Sequence, residues 1–284
     1  MEYNVKFTLE LIKHLMLFDD KQLMESIGID TKTYQSIMEG NFDVSNNVLE
    51  KIYSYIFDLK INVNELITGI YDEELLDNNH IILYHGSKNG INGSVSPNIG
   101  KGCNDFGSGF YCGTSYKQAA LFVSNHPKSS IYSFDFNLKG LKGYKFDLDV
   151  NWMLMVGYHR GYLDKYINSP VLKGILEKAK GYDYYIAPIA DNRMFEILNA
   201  FLKGEITDEQ CLHSLVASEL GYQYVLISKK ATKALKLINR SYLCDKERKK
   251  YISLKDNENK EKEELIAKTR IEYRQKGKYV DELL

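Results

Sequence analysis

The chain has 284 residues, of which 44% are apolar and 26% charged, enough for a substantial hydrophobic core. Lys and Arg total 37 against 38 Asp and Glu, so the overall charge gives no polycation suited to nucleic acid or to an anionic membrane. No apolar run approaches the roughly 18 residues of a membrane-spanning helix. The first residues also lack the basic start and apolar stretch of a secretory leader, so a cytoplasmic protein is expected. Cys103, Cys112, Cys211 and Cys244 show no close pairing, and no histidine stands beside them at ligand spacing, so free thiols and no metal are expected.

Residues 1–75 read as all helix. Apolar side chains recur at helical spacing at Phe7, Leu11, Leu15, Met16 and Phe18, then at Leu23, Met24 and Ile27. Within 23–41, LMESIGIDTKTYQSIMEGN, Gly28 ends one helix, Asp30 caps the next and Gly40 ends it. Ser45 then caps a further amphipathic helix, VSNNVLEKIYSYI. This stretch resembles the helix-turn-helix domain of phage-repressor-type regulators, in which a glycine separates the scaffold and recognition helices. Residues 1–70, however, carry six lysines and no arginine against eleven carboxylates. DNA affinity comes mostly from phosphate neutralisation, so this charge balance favours a protein-contact or dimerisation module over a DNA-binding one.

Residues 80–243 mix short strands, glycine loops and helices. Aromatic and β-branched runs predict strands at 81–85, 109–113, 131–137, 144–149, 182–189 and 222–228. Helices are predicted at 116–123, 151–165, 171–179, 194–202 and 208–220, the last opened by the capping-box pattern TDEQ. Trp152 reads as a core anchor. The order lacks the regular strand–helix–strand rhythm of a doubly wound sheet and predicts an α+β fold with mainly antiparallel sheets. Residues 244–284 scatter Leu265, Ile266, Ile271, Tyr273, Val280 and Leu283 through a background of both charges. They read as a solvated helix or partly disordered tail, or as a segment that docks on a partner or on the chain's own cleft.

Three motifs in the middle block stand in order: YHGS at 84–87, DFGSGFYCGTSYKQAALF at 105–122 and YQYVLIS at 222–228. Together they resemble the ADP-ribosyltransferase superfamily in its His-Tyr-Glu branch, the diphtheria-toxin and poly-ADP-ribose-polymerase type. A closer resemblance is to an uncharacterised bacterial family of that superfamily, which shares LYHGS, DFGxGFY and YDxxIxPxADxR. The last is matched here by YDYYIAPIADNR at 182–193. The resemblance implies a split β-sandwich core with helices, and NAD as a substrate with no metal. In that chemistry the bond between nicotinamide and ribose breaks through an oxocarbenium-like transition state, so the protein mainly positions the substrate and stabilises charge.

By that resemblance, His85 bonds a hydroxyl of the adenosine-side ribose, and Gly86 lets backbone approach the nicotinamide amide. Ser87 bonds the same amide, Tyr111 stacks on the ring, and Phe122 takes the place of a second stacking tyrosine. Asp105, Phe106, Gly109 and Phe110 belong to the loop and strand expected to pass close to NAD. Arg160 reaches a phosphate or makes a structural ion pair. Arg193 is a further candidate contact, or forms a surface turn with Asp191. Gln223 stands where the branch has its catalytic glutamate, keeping a hydrogen bond and losing a charge. A carboxylate supplied elsewhere would come from Asp191, Asp105 or Glu196, with Asp191 favoured. His85, Tyr111 and Gln223 also have plain structural readings as a strand-end histidine, a core tyrosine and an edge polar residue.

Two functions follow from the resemblance. One is an NAD-dependent mono-ADP-ribosyltransferase, or an NAD glycohydrolase, acting as an intracellular effector, toxin or phage-defence component. Its acceptor would be a protein, a nucleic acid or a small molecule, and residues 1–75 would position it on a partner, on nucleic acid or on its own antitoxin. The alternative is a non-catalytic regulator that binds NAD or ADP-ribose, with the helix-turn-helix as output.

Overall fold

The computed structural model describes all residues except 1, 41–42, 75–78, 99–103, 191 and 218–220. The first helices in chain order are α1 (Val5–Met16), α2 (Asp20–Ile27), α3 (Thr31–Met38), α4 (Asn46–Asp58) and α5 (Val63–Glu74). Then come β1 (His80–Ser87), β2 (Phe110–Gly113), α6 (Tyr116–Val123), β3 (Ser130–Asn137), β4 (Gly143–Lys145), α7 (Val150–His159) and α8 (Pro170–Lys178). The chain continues through β5 (Tyr184–Pro188), α9 (Asn192–Leu202), α10 (Asp208–Val216), β6 (Tyr222–Leu226), α11 (Lys229–Lys233) and β7 (Leu235–Tyr242). It closes with α12 (Asp245–Glu272) and α13 (Val280–Leu283). The protein is α+β, and its elements fall into two compact units, each assembled from three separate stretches of chain. Among the described residues no helix is long and apolar enough to cross a membrane.

The first unit comprises Met1–Ser94, Ser115–Asn137 and Leu235–Lys255. Its helices start where oxygen-bearing side chains satisfy the free N–H groups of a first turn. Asp19 and Gln22 form a reciprocal capping box on α2. Asp30 accepts from Thr33 N on α3, and Ser45 accepts from Val48 N on α4. Leu9, Ile12, Leu23, Leu49 and Ile52 are fully buried and form the core of this helical part. Burial there pushes the Cys244 thiol up to about 11, so it is an inert core residue. β1 and β7 flank β3, both antiparallel to it, with His85 opposite Tyr132 and Ser87 opposite Ser130.

The second unit comprises Val95–Thr114, Leu138–Ala234 and Asp256–Leu284. Its four strands run in the order β4-β5-β6-β2, antiparallel except for the parallel pair β4–β5. β4 is shorter than the predicted strand because Asp149 is taken by α7, whose Trp152 N its side chain caps at 2.9 Å. α7 also stops early. Gly161 adopts φ +79, and Tyr162 N bonds back to Gly157 O, a glycine-terminated helix end. Trp152, Leu172, Leu198, Phe201, Cys211 and Val225 fill the core.

The charged C-terminal region supplies part of that core. Ile266 and Val280 are buried in it, Val280 at 1% exposure. One backbone bond and one to a side chain tie the region to the start of α10: Asp208 N donates to Lys278 O at 2.9 Å and Lys278 N to Asp208 Oδ1 at 2.7 Å. Gln210 Nε2 donates to Arg270 O at 2.8 Å.

Candidate functional site

In the second unit, the antiparallel pairing of β2 with β6 sets Tyr111 opposite Val225 and Gly113 opposite Gln223. The Tyr111 ring is half-buried, and its hydroxyl turns back onto the loop that precedes β2. It donates to Gly107 O at 2.8 Å and accepts from Phe106 N at 3.1 Å. Burial raises the Tyr111 pKa, so the phenol stays protonated and keeps both bonds.

That clamp fixes Asp105, which is 6% exposed. Its Oδ1 accepts from Arg160 Nε at 2.9 Å and from Arg160 Nη2. Its Oδ2 accepts from Gln223 Nε2 at 3.1 Å and, more weakly, from Ala190 N at 3.4 Å. Gln223, 7% exposed, gives its amide nitrogen also to Pro188 O at 3.2 Å. Arg160, at the end of α7, donates further to Ala190 O, and its guanidinium stacks 3.8 Å over the Phe195 ring. A carboxylate, a guanidinium and a primary amide thus share one buried cluster with no net charge. A buried ion pair of this kind adds little net stability, yet removing one partner strands the other at a cost of about 3–5 kcal/mol.

The remaining second-unit candidates divide by burial. Phe106 and Phe110 are core side chains, Phe106 lying 5.0 Å from Phe146 and 5.5 Å from Tyr185 between ring centroids. A side chain at Gly109 would meet Val225 Cγ1 at 2.7 Å, so this glycine is required by the packing of β2 on β6. Glu196 is exposed on α9. Asp191 lies outside the described residues, as does the side chain of Arg193, whose backbone belongs to α9. Among the described residues no group of three His, Cys, Asp or Glu side chains could hold a metal ion.

In the first unit, His85, Gly86 and Ser87 are half-buried at the end of β1. The His85 ring lies 6.5 Å from that of Tyr132. A Cβ on Gly86 would meet Ala119 O at 2.6 Å and Val123 Cγ1 at 2.9 Å, so a glycine is needed there for α6 to pack on β1. Phe122 projects from α6 with 70% of its surface exposed and takes no part in the core. An exposed aromatic ring of this kind is available to stack on a planar ligand.

Sequence reasoning missed the inward partners of the cluster: the Pro188 and Ala190 carbonyls and the Phe195 ring. Backbone acceptors carry no signal in side-chain identity, and Phe195 reads as one more apolar position of an amphipathic helix.

The molecule is thus an α+β protein whose second unit holds a buried carboxylate–guanidinium–amide cluster built from a loop, a helix end and a strand. Residues 81–237 match the family described as Protein of unknown function (DUF3990), and since this is more than half of the chain, the chain belongs to that family. No curated protein and no solved structure matches it.

Proposed function

We propose that the protein is an NAD-dependent mono-ADP-ribosyltransferase. The observation that carries the reading is the pairing of β2 with β6, which sets the strand of the glycine-phenylalanine-tyrosine motif directly beside the strand that bears Gln223. The order and content of the three motifs support it, with Gln223 where the resembled branch has its glutamate. In the second unit Gln223 receives the nicotinamide-side ribose and Tyr111 offers a ring face. The resemblance assigns His85 and Ser87 to hydroxyl and amide recognition, and Phe122 to stacking.

In the reaction the carbon–nitrogen bond between ribose and nicotinamide breaks, and its electron pair leaves on the nicotinamide nitrogen. The ribose carbon takes a new pair from a nucleophile of the acceptor, whose proton passes to water or to a base. Water as the acceptor makes the same chemistry an NAD hydrolysis. Residues 1–75 are assigned to contact with a protein partner, an antitoxin among the options, because the six lysines against eleven carboxylates of residues 1–70 suit DNA poorly.

The alternative, a regulator that binds NAD or ADP-ribose without cleaving it, draws support from one feature. Asp105, the carboxylate beside Gln223, is already neutralised by Arg160. Incubating the full chain with adenylate-labelled NAD and a cell extract separates these readings. Label retained on a macromolecule is the expected result, with protease and nuclease digestion naming its class. Free labelled ADP-ribose would mark the hydrolase variant, and fully intact NAD would defeat the enzyme reading.

A further inference from the structure

Gln223 Nε2 meets two acceptors, Asp105 Oδ2 at 3.1 Å and Pro188 O at 3.2 Å. Both of its protons are therefore spent inward. Turning the amide over would set its oxygen against a carboxylate and a carbonyl, so the orientation is fixed by chemistry. The other end of the amide is in the opposite condition. Oε1 has no donor among the described residues, and it is absent from their fully enclosed, unpartnered side-chain atoms, so it keeps access to solvent. The amide is held rigidly by its nitrogen and presents its oxygen outward as an acceptor.

We propose that Asp105 is a positioning residue that orients Gln223, so that Gln223 Oε1 accepts a hydrogen bond from a ligand hydroxyl. In this arrangement the carboxylate and the acceptor oxygen of a single glutamate are divided between two side chains. Asp105 holds the negative charge, and its bond to the amide nitrogen shifts electron density toward Oε1, since a chain of hydrogen bonds polarises along its length. Arg160 binds the oxygen of Asp105 that Gln223 does not use, and so locks the carboxylate plane in turn. The Tyr111 clamp on Phe106 N and Gly107 O fixes the backbone on the C-terminal side of Asp105. The inference rests on the transferase reading for the identity of the hydroxyl, which is that of the nicotinamide-side ribose.

The test uses the full chain and NAD, with affinity measured by calorimetry and turnover as nicotinamide release. Asp105→Asn is expected to lower turnover ten-fold or more while NAD affinity changes less than about three-fold, because an oriented acceptor matters most in the transition state. Asp105→Asn/Gln223→Glu, which exchanges the carboxylate and the amide, is expected to restore turnover to within about three-fold of wild type. Gln223→Glu alone sets two carboxylates in contact, and a new ionisation above the ordinary carboxylate range should enter its rate–pH profile. A purely structural pair would give neither the rescue of turnover nor that ionisation. Gln223→Met leaves the Asp105–Arg160 pair intact and should lose turnover as Asp105→Asn does, which covers the case of an unfolded Asp105→Asn. Full turnover in Asp105→Asn, in a chain whose wild type releases nicotinamide, defeats this inference alone. A wild type that neither binds NAD nor releases nicotinamide defeats the transferase reading and this inference together.

Discussion

Tyr111 spends its hydroxyl on its own loop, and that commitment can be measured. Tyr111→Phe keeps the ring and removes an acceptor from Phe106 N and a donor to Gly107 O. Leaving such part-buried groups unpaired costs about 1–3 kcal/mol, and denaturant unfolding should show the loss even if ligand stacking is unchanged. An unchanged midpoint would mean that the clamp does not hold the loop. A second residue gives a pH dependence. Desolvation raises Glu247 from 4.5 to about 7, against the opposing bond from Tyr116 and the charge of Lys250. The folded state therefore binds the proton more tightly than the unfolded chain, and stability falls as pH rises from about 4.5 to about 7 and stays lowered above that. Glu247→Gln carries no charge at any pH. It should be more stable than wild type at pH 8, on the order of 1–3 kcal/mol, and about equal to it at pH 4. A constant difference between the two proteins across that range would refute the assignment.

At the level of elements, Gly86 joins β1 to α6. Gly86→Ala drives a methyl into Ala119 O at 2.6 Å, a backbone atom of a packed helix that cannot turn aside. The overpacking should cost about 1–3 kcal/mol and show as a lowered melting temperature without any ligand. A neutral result would leave ligand approach as the only reason for a glycine there. α6 and α8 lie within a residue of the helices predicted from apolar spacing, because each has one buried face and an oxygen-bearing cap, Ser115 and Ser169. β7 was not legible. Its inward side includes Asn239 and Ser241, both buried, which break the alternation that marks a strand. Asn239 Nδ2 serves both, donating to Asn64 Oδ1 in a distant part of the chain at 3.3 Å and to Ser241 Oγ at 3.0 Å. The candidate site shows the same limit. The motif located Gln223 on a strand, yet nothing in its spacing reports a bond to Asp105, 118 residues away.

Over the whole molecule, each compact unit recruits three separate stretches of chain, and the last stretch of the second, Asp256–Leu284, carries very little hydrophobic signal. Ile266 and Val280 enter the second core from a strongly charged background, where two apolar points do not define a helical face. In the proposed transferase, the acidic N-terminal helices would meet a protein partner and the motif-bearing strands would carry out one reaction. Its most direct test is nicotinamide release from NAD by the full wild-type chain, with and without cell extract. Release that the extract stimulates, and that Gln223→Met lowers at least ten-fold with little change in NAD affinity, is the expected result. Tight NAD binding with no nicotinamide released under any acceptor condition would contradict it.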